Sequence, residues 1–255
     1  MKKVFFFTMI MALTITHLNA QDSAVDKHRW SFLIEPYLIF PSMNGTAGVG
    51  TLPTVDVDLN SNEIFSNLKF GAMLFFEARK GDWAFNSDLL YMSLGQDVKT
   101  GTIINSGDVN VKQLGWEVAA LLQITPWLEL GPALMLNSVK MDVNIKVNNI
   151  GGGTTDRSNG VSQAWGDVLL VARIKNQEGK KFIYQFRGDV GGGFGASKNA
   201  VWQIQAYAGY RFSKLFQLTG GYRIISLDYE NGTGMDHFLY DMNLSGPVIR
   251  FGFNL

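Results

Sequence analysis

Charged and amide side chains recur at every second position in several parts of this chain, as in Glu77-Ala78-Arg79, Arg187-Gly188-Asp189 and Gln203-Ile204-Gln205. A period of two places them on one face of an extended strand. Projected strand by strand, Glu35, Glu77, Arg79, Asp88, Glu117, Glu129, Asp167, Arg173, Arg187, Asp189, Arg211, Arg223 and Arg250 share one side, seven acidic and six basic. Two chemistries are open to such a set. It can be a mutually neutralised network that fills a narrow barrel, or the lining of a selective aqueous pore. A selective pore shows a bias toward one sign. The near balance therefore favours the packed interior, as expected for a small barrel filled by side chains.

Other candidates for chemistry are sparse. Three histidines occur, and only His237 falls near a strand, directly after Asp236. An outer-membrane hydrolase acting on lipid or peptide at the rim would have His237 as its base. Sequence neighbours point to opposite faces of a strand, however, so Asp236 is badly placed to orient it, and the partner must come from another strand. Gly188 to Gly195 looks like a nucleotide fingerprint but is followed by a strand rather than the helix that phosphate binding needs. Asp56, Asp58 and Asp108 offer carboxylates to calcium without the glycine-bearing spacing of an EF-hand. With no cysteine and no zinc-type histidine pair, no metal, cofactor or catalytic set is expected. The 22 basic and 22 acidic residues give no basic surplus for nucleic acid.

The elements that must hold these side chains read as strands. In Ala200–Phe212, Trp202, Ile204, Tyr210 and Phe212 oppose Gln203, Gln205 and Arg211; in the last strand, Phe251, Phe253 and Leu255 oppose Arg250 and Asn254. Grease on one face and arginine on the other fits an all-β, closed antiparallel barrel standing in lipid around a polar lumen. Ten segments show the pattern: Trp30–Phe40, Leu68–Lys80, Asp82–Leu94, Val111–Ile124, Trp127–Met141, Gln163–Lys175, Lys181–Val190, Ala200–Phe212, Lys214–Tyr229 and His237–Leu255. Short joins such as Lys80-Gly81-Asp82 and Thr125-Pro126 alternate with long ones, the pattern of periplasmic turns and extracellular loops. The alternating stretch Thr54–Asn60 is a candidate extra strand, leaving a range of eight to twelve. Asn44-Gly45, Asn159-Gly160 and Asn231-Gly232 are expected in hairpin turns. Pro247 and a change of apolar parity near Ser245-Gly246 suggest a β-bulge. Trp30, Trp83 and Trp127 at one level, with Trp165 and Trp202 at the other, sketch two aromatic girdles. Trp116 fits neither.

Residues 1–20 read as a signal peptide: Lys2 and Lys3, an apolar run, then Leu18-Asn19-Ala20 before Gln21. The run of about 13 residues is shorter than the roughly 20 of a spanning helix. Residues 21–29 form a short lead-in and 30–255 the barrel, exported to the outer membrane.

Several stretches resemble a broad family of Gram-negative outer-membrane β-barrel proteins of the porin-like kind. They are Trp30-Ser-Phe with Pro36-Tyr37-Leu38, Glu77-Ala-Arg with Gly81-Asp-Trp83, Asp88 with Tyr91, Arg187-Gly-Asp-Val-Gly, Trp202-Gln203 with Gly209-Tyr-Arg-Phe212, Gly221-Tyr-Arg223 with Asp228-Tyr229, and Gly246-Pro247. The chain departs from that pattern in ending on Leu255 rather than an aromatic and in carrying an extra glycine at Gly191–Gly193. The resemblance implies outer-membrane lipid and the barrel-assembly machinery as partners, with the long loops facing an extracellular ligand. It brings no catalytic residues.

Overall fold

A computed structural model describes residues 29–51, 53–97, 104–149, 153–176, 180–193 and 198–255. The leader, most of the lead-in, Gly151-Gly152 and Phe194-Gly195 lie outside these residues. Among these residues twelve strands and one short α-helix follow in order, with a 3-10 turn at Gly234–Asp236 before the last strand: β1 (Ser31–Ile39), β2 (Ser42–Val49), β3 (Val55–Leu59), α1 (Ser61–Ser66), β4 (Leu68–Lys80), β5 (Trp83–Asp97), β6 (Ile104–Thr125), β7 (Leu128–Asn148), β8 (Thr154–Lys175), β9 (Phe182–Gly192), β10 (Lys198–Arg211), β11 (Phe216–Asn231) and β12 (Phe238–Asn254). β1 pairs with β4, each strand from β4 to β12 pairs with the next, and β12 returns to β1. Ten strands thus close an antiparallel barrel. Closure pairs the ten strands all the way round the ring, as a sheet in lipid requires. Among the described residues, the far edge of β3 and the part of β8 before Val168 extend past the ring without a β-partner on that side.

β2 and β3 are the additions. β12 is longer than its partner β1: its residues Val248 to Asn254 pair with β1, and Phe238 to Ser245 pair with β2. The chain breaks at Phe40-Pro41 between these two partners. Pro247 sits opposite this break, its carbonyl accepting from the Phe40 amide at 2.9 Å, so its missing N–H faces the one place where no ladder bond is demanded. β3, the strand anticipated at Thr54–Asn60, folds back on β2. The helix α1 then begins at a capping box, with Asn60 and Glu63 each accepting the other's amide, and it buries Ile64.

The two ends of the barrel differ. One carries the start of β1, the end of β12 and tight turns such as Lys80-Gly81-Asp82, where Gly81 takes φ +62°, a conformation a side chain disfavours. The other carries the long connections. On this loop end β6, β7 and β8 run to 22, 21 and 22 residues, about twice the 9–11 a tilted membrane strand needs.

Three sequence expectations are corrected here. No bulge occurs at Ser245-Gly246: β11 and β12 stay in unbroken register from Phe216↔Phe253 to Asn231↔Phe238. Asn44-Gly45 and Asn159-Gly160 lie inside β2 and β8 rather than in turns, and among the three only Asn231-Gly232 ends a strand, with Gly232 at φ +74°. The extended β6, β7 and β8 absorb stretches read as loop. The cause is common to β7, β8, β11 and β12, because each crosses a boundary at which the apolar face changes sides.

Candidate functional site: the two-storey barrel interior

In the terminal half, the exterior is apolar and the interior charged. Leu130, Leu134 and Leu136 of β7, Leu170 and Ile174 of β8, Phe182 and Phe186 of β9, and Ile204 and Tyr210 of β10 are exposed. Between them, on the alternate positions, stand the buried charges. Arg173 donates to Glu129 at 2.6 Å and to Glu77 at 2.6 Å, and Arg79 reaches the same two carboxylates at 2.6 and 3.2 Å. Asn86 donates to Glu77, and Lys175 lies 3.3 Å from Glu129. A second group begins at Arg187, which bonds Asp189 at 2.9 Å and also Glu117. Gln203 bonds Glu117 and accepts from Arg223, which reaches Asp88 at 2.9 Å and the Tyr37 hydroxyl at 3.1 Å. Gln205 carries the chain on to Arg250, whose guanidinium also bonds Tyr207, lies 4.0 Å from that ring's centroid and stands 3.4 Å from Glu35.

Of the charges projected inward from sequence, Glu35, Glu77, Arg79, Asp88, Glu117, Glu129, Arg173, Arg187, Asp189, Arg223 and Arg250 are buried and joined in this way. Arg211 is half-buried at the terminal end, donating to Gln217. Asp167 is buried but stands apart, accepting from Asn137 at 2.8 Å. The amides Asn86, Gln203, Gln205 and Gln217 and the hydroxyls of Tyr37 and Tyr207 are members that a projection of formal charge misses, and Lys175 is a charge that the projection left out. They occupy the same strand faces as the arginines, which was the available signal.

Past the middle the rule inverts without any change of strand register. The same inward face of β12 that carries Arg250 and Val248 continues as Leu244, Met242, Tyr240 and Phe238, all buried. On β11, Arg223 is followed inward by Ile225, Leu227 and Tyr229. The exterior turns polar: Lys140 pairs with Asp142, Lys146 with Asp156 and Lys198 with Asp228. The hydrogen bond and charge of Asp228 raise the Lys198 ammonium above the ordinary lysine value. The charge-lined lumen expected from sequence is thus confined to the lower storey, and the upper one is apolar.

The cavities follow this division. An open polar vestibule of about 340 Å³ at the terminal end is lined by Glu35, Glu77, Arg173, Lys175, Arg211 and Arg250. Above the network, a void of about 30 Å³ lies between Asp88, Glu117 and Arg223 below and Met43, Leu90 and Leu244 above. It is room for about one water. Higher still is an apolar cavity of about 170 Å³ walled by Met43, Met92, Val139, Val161, Phe238 and Met242.

The tryptophans mark the same levels. Trp30, Trp83 and Trp127 are exposed near the terminal end, and Trp202 is exposed on β10. Trp165 is not part of an exterior girdle. It is 8% exposed, faces inward beside Asp167, and stacks on Tyr229 at 4.3 Å. Its parity with Asp167 and Arg173 on β8 carried that information. Trp116 instead stands on the exterior, opposite Leu136 at the upper limit of the apolar belt.

His237 has a partner that sequence could not name: its Nε2 lies 2.9 Å from Glu230 on β11. By strand alternation both occupy exterior positions, and neither lines the three interior cavities. Asp56 and Asp58 stand on β3 and Asp108 on β6, where Asn110 and Asn144 bond it. Among the described residues no group of three carboxylates, histidines or cysteines is placed to hold a metal.

No family model matches the chain, and no curated protein matches it in sequence. Among solved structures it is similar to the outer membrane protease OmpT from Escherichia coli, at 8% identity and TM-score 0.52 over 89% of this chain and 97% of that one. It is also similar to Ail, the attachment invasion locus protein of Yersinia pestis, at 11% identity and TM-score 0.37 over 89% and 99%. The Pseudomonas putida toluene transporter TodX gives 8% identity and TM-score 0.38 over 88% and 89%. All three are Gram-negative outer-membrane barrels, and the likeness is one of fold.

Proposed function

We propose that this chain is an integral outer-membrane barrel that binds at its loop end and does not conduct. The apolar belt sits in outer-membrane lipid, the tight turns face the periplasm, and the upper storey stands above the bilayer toward the outside. Export by the leader and insertion by the barrel-assembly machinery, which would meet the Phe251, Phe253, Leu255 alternation of the last strand, belong to the same reading. The observation that carries it is the buried arginine–carboxylate network across the lumen, above which lies a void of about 30 Å³, room for about one water. A solute would have to separate paired buried charges to pass, and uncovering even one is a large penalty. In planar bilayers the purified protein is expected to give no conductance steps; reproducible steps would return it to the porins.

The hydrolase reading rests on the His237–Glu230 pair alone. A lipid- or peptide-hydrolysing activity of the intact protein that disappears in His237→Ala would move it to that class.

A further inference from the structure

The upper cavity is the feature that sealing does not explain. Interiors pack with few voids larger than a water molecule, and the lower storey obeys this at the network, where the void is about 30 Å³. A few residues above, the same barrel keeps about 170 Å³ open. A gap of that size forfeits dispersion contacts along its whole lining. The wall could have closed it with larger side chains at Ala47, Val57, Val111, Val139 or Val161.

The chemistry of the lining is narrow. Apart from Gln113 and the Tyr240 hydroxyl, the walls are aliphatic, methionine or aromatic, and no charged side chain lines them. Met43, Met92, Met141 and Met242 supply four flexible thioethers that adapt to an occupant's shape. The cavity shares Leu59, Leu94 and Val111 with a second space of about 410 Å³ beside α1, whose lining also includes the polar Glu63, Asn67, Gln96 and Asp97. An occupant therefore has a polar-rimmed antechamber from the loop end, while the arginine network closes the cavity below. An apolar cavity of about 150 Å³ is known to stay dry and to take up benzene.

We infer that the upper storey is a binding site for an uncharged hydrocarbon group, of the volume of one aromatic ring or a short alkyl chain, admitted past α1 and stopped by the charged plug. This rests on the sealed-barrel reading and adds the class of ligand. A ring would come from a free small molecule and an alkyl chain from a lipid tail, and the same cavity serves either.

The test uses the full chain in lipid nanodiscs, with empty discs of the same lipid as baseline, titrated with fluorobenzene and with 1-fluorohexane and followed by fluorine NMR. The wild type is expected to show a saturable component of one site per chain above linear partitioning into lipid. Val139→Phe, which fills the void from β7, should weaken that component by about tenfold or more. Val161→Phe fills it from β8 if the first variant does not assemble. Saturation by fluorobenzene alone assigns the site to a ring, and by fluorohexane alone to a chain. Titrations indistinguishable from empty discs overturn the inference, as does saturable binding unchanged in an assembled filling variant. Because conductance is measured separately, a silent barrel without saturable binding would sink the ligand site and leave the sealed barrel standing.

Discussion

Below the level of Leu136, β7 turns leucines outward and Glu129 inward; above it, the same strand turns Lys140 and Lys146 outward and Val139 inward. The backbone makes no adjustment at the crossing. On the proposed reading, what changes is the medium outside the wall. In lipid, apolar side chains must face out, and charge survives only inside and paired. In water the ordinary soluble arrangement returns. The two storeys also treat ion pairs differently. Arg173 and Glu129 are both 1% exposed and 2.5–2.6 Å apart, while Lys146 and Asp156 are 55% and 79% exposed at 3.7 Å. Charge below therefore fixes the interior, whereas charge above mostly solvates the surface.

The largest effect should come from uncovering the lower network. Arg173→Ala leaves Glu129 and Glu77 short of their main donor, and a broken buried pair is worth about 3–5 kcal/mol. Lys146→Ala, removing an exposed pair, should change stability by about 1 kcal/mol or less. Urea unfolding of the two variants in liposomes, followed by tryptophan fluorescence, measures both, and equal shifts would abolish the distinction between storeys. Next in size is the medium itself, tested on one face of one strand. Leu170→Arg places a cation in the apolar belt and should destabilise by about 2–4 kcal/mol. Ser158→Arg, twelve residues away by sequence number on the same exterior face, should stay within about 0.5 kcal/mol. A similar penalty at both sites would mean that the upper wall also lies in lipid.

Sequence exposed the lower storey and hid the upper one for the same physical reason. Where lipid is outside, arginine and aromatics alternate with a contrast that no soluble strand shows, so Trp202 against Gln203 or Phe251 against Arg250 is read at sight. Above the boundary the contrast reverses. On β12 this reversal looks like a bulge at Ser245-Gly246, and on β8 the polar exterior of residues 154–162 looks like a loop with Asn159-Gly160 at its turn. On the proposed reading, the inverted parity on these uninterrupted strands marks the membrane boundary. The partners within the network were less legible, since Arg223 meets Asp88 across 135 positions and Arg250 meets Glu35 across 215. Barrel closure brings them together, and no local pattern records it.

The smallest effect tests the one tryptophan that belongs to the upper interior. Trp165 packs on Tyr229 at 4.3 Å with planes 15° apart, and lies 5.9 Å from Tyr240. A double-mutant cycle with Trp165→Leu and Tyr229→Leu should return a coupling of about 0.5–1.5 kcal/mol, the range for an aromatic pair beyond its buried area. The position is checked independently by lipids brominated on their acyl chains. Replacing Trp202, 40% exposed on the belt, with Phe should remove a quenchable part of the fluorescence. Replacing Trp165 with Phe should leave the quenched part unchanged, because β8 and the upper wall stand between that ring and any acyl chain. Loss of quenching on Trp165→Phe would put this side chain outside the barrel and bring the lipid boundary up to the level of Gln163, where the exterior of β8 is already polar.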